Sequence, residues 1–153
     1  KKVMASAKEM LNRLKSVSKI TTLREMVYEH IKANEDKLRD LKYDEYEQGD
    51  IFSNHTILRY KWDWYGNYKY EMNPRAMGNV DLIYTGSFID SFKINKPNKN
   101  AYLFGATDSK RNELVGRYGI DIMGLNQDTF NSFQKDIIAP LFIQDLQKII
   151  NKK

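Results

Sequence analysis

Two histidines, His30 and His55, are the residues best suited to acid–base or metal chemistry, and each stands alone. Neither falls in H-E-x-x-H or a comparable ligand spacing, so both read as ordinary structural or surface residues. The carboxylates gather in Glu35-Asp36, Asp40 and Asp44-Glu45-Glu47, a run that reads as a solvated acidic face. Metal-assisted hydrolysis needs such groups to converge from several elements, and a contiguous run does not supply that. No glycine-rich phosphate loop of the G-x-G-x-x-G or G-x-x-x-x-G-K-[ST] type occurs, and no G-x-S-x-G elbow presents a serine nucleophile. The chain has no cysteine, which excludes disulfides, cysteine zinc sites and thiol catalysis. The expectation is therefore a protein that is not an enzyme, with no catalytic residue, no metal and no cofactor. A small hydrolase or nuclease becomes credible only if acidic side chains such as Asp81 and Asp90 converge around a pocket.

The most concentrated feature is aromatic. From Tyr60 to Tyr70, six of eleven residues are aromatic, and both tryptophans of the chain are among them. Tyr60, Trp62 and Trp64 alternate, so on a strand they share one face. The segment runs on into Met72, Arg75 and Met77. Three readings are open. The face is the core side of a sheet, or the segment is a partner-binding loop, because Trp, Tyr, Met and Arg are enriched at protein contacts. In the third, bases stack on the rings beside Arg59, Lys61, Lys69 and Arg75, although Asp63 and Glu71 interrupt the basic set. The candidate partner-binding residues are Trp62, Trp64, Tyr65, Tyr68, Tyr70 and Arg75.

The elements that must position these residues follow from periodicity. Met4, Leu11, Leu14 and Val17 are at near-helical spacing over residues 3–19. Thr22 and Glu25 match a capping box, and Leu23, Met26, Val27, Ile31, Leu38 and Leu41 outline one face of a helix to about residue 42. His55–Trp62 reads as a strand, residues 63–79 as a loop, and Val80–Tyr84 as an extended approach to Thr85-Gly86-Ser87. Strands are expected near Ser91–Lys96 and Ala101–Ala106, with Pro97-Asn98-Lys99-Asn100 as the hairpin turn. Asp108 can cap a short helix ending near Gly119, Ile120–Met123 reads as extended, and Asn126 can cap a final helix that Pro140 should kink or divide. The fold class is α+β: N-terminal helices, a mainly antiparallel sheet of about four strands, and a long C-terminal helix. The division is an N-terminal helical arm over residues 1–42 and an α+β core over 43–153, one domain overall.

Composition narrows the partners. The 153 residues suit one domain. The longest apolar run, Ile137–Ile143, is far shorter than the roughly 20 residues that span a bilayer, and no charged-then-apolar leader opens the sequence. Neither membrane insertion nor secretion is expected. The formal net charge is +5, but Lys1, Lys2, Lys152 and Lys153 supply four of those charges. The near-neutral body lacks the basic stripe usual in a nucleic-acid binder.

Val80-Asp81-Leu82-Ile83-Tyr84-Thr85-Gly86-Ser87-Phe88-Ile89-Asp90-Ser91-Phe92 resembles the L-x-x-T-G-x-[LF]-x-x-S stretch of the tailed-phage virion morphogenesis proteins, the neck and tail-completion family. Tyr65, Tyr68 and Lys69 resemble the Y-x-x-Y-K run of some members. Gly119–Asn126 resembles the late G-L-[ST] turn before a final helix, with Ile120-Asp121-Ile122 where the family often has Pro-x-Arg. The similarity covers roughly residues 50–150 and leaves out the N-terminal helices. The resemblance implies a non-enzymatic structural protein of a virion, assembled in the bacterial host cytoplasm. Its copies would form a homo-oligomeric ring contacting portal, adaptor or tail proteins, with non-specific proximity to DNA in the channel and no membrane contact. The N-terminal helix and residues 62–77 would make the neighbour contacts. The alternative is a nucleic-acid-binding accessory protein of a phage or mobile element. Read by themselves, Thr85-Gly86-Ser87 is a glycine-dependent turn, and Phe88, Ile89 and Phe92 return the chain to a core.

Overall fold

The computed structural model describes residues 7–17, 20–98 and 101–151. The elements follow in the order α1 (Ala7–Val17), α2 (Ile20–Ala33), α3 (Glu35–Glu47), α4 (Asp63–Met72), α5 (Ser87–Asp90), β1 (Phe92–Asn98), β2 (Ala101–Ala106), α6 (Arg111–Tyr118), α7 (Gln127–Phe133) and α8 (Ala139–Asn151). Short 3-10 turns lie at Pro74–Ala76 and Ile120–Met123, and a π turn at Gln134–Ile138. The chain divides into two compact units, one taking the described residues up to Asn34 with those from Ser132 onward, the other taking Glu35–Asn131.

In the first unit α1 and α2 pack on α8. The half-buried residues of α8 include Leu141, Phe142, Leu146, Ile149 and Ile150, the stripe of an amphipathic helix. Arg13 Nη1 donates to the Ile150 carbonyl at 3.2 Å, and His30 Nε2 faces Asp145 Oδ2 at 2.9 Å. The break expected at Pro140 takes the form of the π turn: the Ala139 amide reaches back five residues to the Gln134 carbonyl. A widened turn there relieves the clash of a proline ring with the carbonyl four residues earlier. The helix expected to run from Thr22 to about residue 42 is two helices that part at Asn34, whose Nδ2 donates to the His30 carbonyl at 2.8 Å. Helix α2 already starts at Ile20, so Thr22 lies inside it and does not cap it. Met4 lies outside the described residues.

The second unit is built on one core of Tyr46, Ile51, Val80, Phe88, Ile89, Phe92, Ala106, Ile122 and Met123. The fold is α+β, but among the described residues its sheet has two strands, not about four. Strands β1 and β2 are antiparallel, with Phe92 opposite Ala106 and Ile94 opposite Phe104; the register shifts between Asn95 and Asn98, where Pro97 has no amide for the ladder. Of the hairpin turn expected at Pro97–Asn100, Pro97 and Asn98 belong instead to β1, with Asn98 opposite Ala101, and the rest falls outside the described residues. Helix α3 covers the free edge of β1: Glu35 Oε2 accepts the Ile94 amide at 2.6 Å and Arg39 Nε donates to the Phe92 carbonyl at 3.3 Å.

The other two extended segments are not strands because local side chains take their amides. At Asp81, Oδ1 accepts the Ile83 amide at 3.1 Å, and Leu82 turns to φ 52°. At Asn54, Oδ1 accepts the Thr56 amide at 3.1 Å, and His55 stands at φ 59°. Such side-chain bonds compete with a sheet ladder. What remains of pairing is an isolated bridge between Arg59 and Asn79. Residues 63–79, expected as a loop, hold α4 and a 3-10 turn, and Ile120–Met123 is 3-10, not extended, with Ile122 and Met123 buried. As expected, Gly86 adopts φ +80° ahead of buried Phe88, Ile89 and Phe92. Asp108 Oδ1 accepts the Lys110 amide at 2.7 Å in the turn ahead of α6, so it does not cap the helix, whose N-cap position is Lys110 with no side-chain bond. Helix α6 stops, as expected, before Gly119 at φ +89°. Asn126 precedes α7 but its side chain does not cap it: the Asn126 carbonyl accepts the Phe130 amide at 2.9 Å, while Nδ2 donates to Asp50 and Oδ1 has no partner among the described residues.

Candidate functional site

Helix α4 gathers most of the aromatic segment, and helical rather than alternating spacing decides which side each ring faces. Tyr65, Gly66, Lys69 and Asn73 recur at intervals of one, three and four residues and form the inner side, half-buried or buried. The shared strand face of Tyr60, Trp62 and Trp64 therefore does not form. Trp64, Tyr68 and Met72 recur every four residues and make an outward stripe, at 68%, 42% and 67% exposure. Tyr65 bridges the two sides: its ring centroid lies 4.8 Å from that of Tyr60, 5.5 Å from Trp64 and 6.0 Å from Tyr68. Offset and edge-on ring pairs of this kind add stability beyond area burial, and they fix the orientation of the exposed rings.

The remaining candidates sit apart from that stripe. Trp62 precedes the first turn of α4, exposed, with Lys61 Nζ 5.6 Å from its ring centroid. Tyr70 is exposed, and so is Met77 beyond the helix. Arg75 is engaged by α3: its Nη2 lies 2.8 Å from Asp44 Oδ1, and its Nη1 bonds Glu47. Only part of the acidic run is thus a solvated face, since Glu45 is buried and Glu35 is spent on β1.

Behind α4 lies a polar hub that the sequence does not announce. Asp81 is fully buried. Its Oδ1 meets Lys69 Nζ at 2.9 Å and accepts from the Tyr60 hydroxyl at 3.2 Å, while Oδ2 accepts from Asn73 Nδ2 at 3.1 Å. Lys69 Nζ also donates to the Ile83 carbonyl, so the hub ties α4 to residues 80–83. Burial, reinforced by the Asp81 charge, pushes the Tyr60 phenol well above its ordinary value. A lysine at an inward helical position was the available signal; nothing in one sequence pairs it with Asp81.

A second hub lies on α3. Lys42 Nζ donates to Glu45 Oε2 at 3.0 Å and to the Ile51 carbonyl at 3.2 Å, and Glu45 Oε1 accepts the Asn126 amide at 2.9 Å. Burial lowers the Lys42 pKa against the opposing pull of Glu45 and Asp50. Asp50 Oδ2 accepts from Asn126 Nδ2 at 2.6 Å and meets His55 Nδ1 at 2.7 Å. The groups of the Asp81 hub are bonded to one another, whereas in the second hub Asp50 Oδ1 and Asn126 Oδ1 are buried without a hydrogen-bond partner among the described residues.

Among the described residues, no group of three or more His, Asp or Glu side chains is placed to hold a metal ion, and no helix is long and apolar enough to cross a membrane. Asp81 and Asp90 do not converge: Asp81 is fully buried in the hub, and Asp90 is exposed at the end of α5. Comparison with protein-family models, curated proteins and solved structures finds no match.

Proposed function

We propose that this chain is a non-enzymatic structural subunit of a tailed-phage virion, acting at the head–tail junction or in tail completion. In this reading its copies close a ring by heterologous contacts and join portal, adaptor or tail proteins around the DNA channel. The observation that carries the proposal is the outward Trp64–Tyr68–Met72 stripe, large apolar side chains left to solvent on a helix anchored from behind. Exposed aromatic and methionine side chains of this kind suit a buried protein contact. The resemblance of residues 80–92 to the neck and tail-completion family supplies the class of partner.

Electron microscopy and native mass spectrometry of the purified protein, alone and with the products of adjoining genes, test the reading. Closed rings, or incorporation into particles at the neck or tail end, are expected. Trp64→Glu with Tyr68→Lys should abolish assembly while leaving the monomer folded. A chain that never forms or joins a ring under any of these conditions overturns the proposal.

A further inference from the structure

Beside the Asp81 hub, within the second unit, lies a cavity of about 620 Å³. That is the size range of small-ligand pockets, roughly 300–1,000 Å³. Its lining is lopsided in charge. Arg59, Lys61, Lys110 and Arg117 all contribute to it, and the lining carboxylate is Asp81. That carboxylate is neutralised by Lys69 and receives three further donors, so it does not offset the cations. Arg59, Lys61 and Lys110 have no carboxylate partner among the described residues, whereas Arg117 faces Glu113 at 3.6 Å on an exposed turn. Cations without a carboxylate partner, supplied to the lining by residues 59–61 and by Lys110 just ahead of α6, create a positive local field that favours an anion.

The walls add a second requirement. Trp62, Tyr65, Tyr84 and Tyr118 line the cavity, and each keeps part of its surface open to solvent. Partly open rings beside cations suit a ligand with a flat π surface and a negatively charged group. An inorganic anion would leave the ring surfaces uncovered, and a flexible acidic side chain has no planar body to lay on them.

We propose that this cavity binds a nucleoside phosphate, its base laid on an aromatic ring of the lining and its phosphate held by Arg59, Lys61 and Lys110. The chemistry is common to a free nucleotide and to one nucleotide of a single strand. This site uses α6, which the exposed stripe of α4 does not, and the inference does not depend on the virion reading.

Trp62 lines the cavity and serves as the reporter. The intact protein is titrated with dAMP, with a short oligodeoxythymidylate, with inorganic phosphate and with polyglutamate, following tryptophan fluorescence and heat. Saturable binding of dAMP or the oligonucleotide, at least tenfold tighter than phosphate, is expected. A free-nucleotide site prefers dAMP; a strand site prefers the oligonucleotide and weakens steeply with salt. Arg59→Gln, Lys61→Gln and Lys110→Gln, all at exposed positions, should each weaken binding roughly two- to fivefold. Together they should abolish it, with circular dichroism unchanged. Two results overturn the proposal: no saturation by either nucleotide probe, or binding indifferent to the three substitutions. Polyglutamate binding as tightly as the oligonucleotide also overturns it and marks an acidic-peptide surface instead.

Discussion

Lys69 Nζ and Asp81 Oδ1 stand 2.9 Å apart with both side chains shut away from solvent, joining the middle of α4 to the segment before the Thr85-Gly86-Ser87 turn. A buried pair stabilises little relative to an apolar pair of equal volume, but removing one partner strands the other. Lys69→Met is therefore expected to cost about 3–5 kcal/mol in urea unfolding. Lys69→Met with Asp81→Leu should cost less than the sum of the single changes, since the stranded charge is gone. Additive costs would show that the two groups do not act as a pair.

His55 carries a pH dependence of definite sign. The hydrogen bond that the His55 ring donates to the Asp50 carboxylate, then the charge of Asp50, raises the His55 pKa above the ordinary 6.5, with Asp128 and Glu45 adding to the same direction. The folded state thus holds the proton more tightly than the unfolded chain. Stabilisation from this contact is complete below the ordinary value and is lost as pH rises through the raised folded value. Asp50→Asn should return the His55 titration, followed by NMR, toward 6.5 and flatten that part of the stability profile. An unchanged titration in the variant would remove Asp50 as the cause.

How much of this was legible in the sequence depends on which residues carried the signal. The two strands were readable because Phe92, Ile94 and Phe104 alternate, although Pro97 and Asn98, read as turn residues, belong to β1. The Gly86 turn was readable because it depends on a single residue type. The caps expected at Asp108 and Asn126 did not form, because their side chains bond the Lys110 amide ahead of α6 and Asp50 instead. Helix α4 was not, for a physical reason: its inward positions are Gly66, Lys69 and Asn73, while Trp64, Tyr68 and Met72 face water. Hydrophobic periodicity assumes the apolar side is the buried one, and here the hub inverts it. The two missing strands failed through Asn54 and Asp81, whose side chains capture amides that a ladder would have used. The aromatic cluster was visible as a composition; its division into inner and outer sides was not.

Tyr46 is fully buried and donates from its hydroxyl to the Ile122 carbonyl at 2.8 Å, while its ring stacks on Phe88 and meets Phe92 edge-on. Tyr46→Phe keeps the ring contacts and leaves a carbonyl unpaired in the core. A loss of about 1–2 kcal/mol is expected in denaturant unfolding. Tyr46→Ala also opens a cavity and should cost about 3–5 kcal/mol. Equal losses from the two changes would show that ring packing contributes nothing beyond the hydroxyl.

Gly49 and Gly86 both adopt positive φ, at +75° and +80°, but their surroundings differ. A Cβ on Gly86 meets Asp90 Oδ2 at 3.6 Å, an ordinary contact, so Gly86→Ala should cost only the conformational strain, about 1 kcal/mol. Asparagine tolerates the left-handed region better than alanine, so Gly86→Asn should recover part of that loss. A Cβ on Gly49 comes within 3.1 Å of Asn79 Cβ and 3.2 Å of the Ala76 carbonyl oxygen, and a carbonyl cannot yield as a flexible side chain does. Gly49→Ala should therefore cost about 2–3 kcal/mol, strain and overpacking together, and Gly49→Asn no less. Thermal unfolding of the four variants separates the two causes, since only the Gly86 site responds to the choice between alanine and asparagine. Rescue by asparagine at Gly49 would show that the turn after α3 gives way, and that conformation alone sets the cost there.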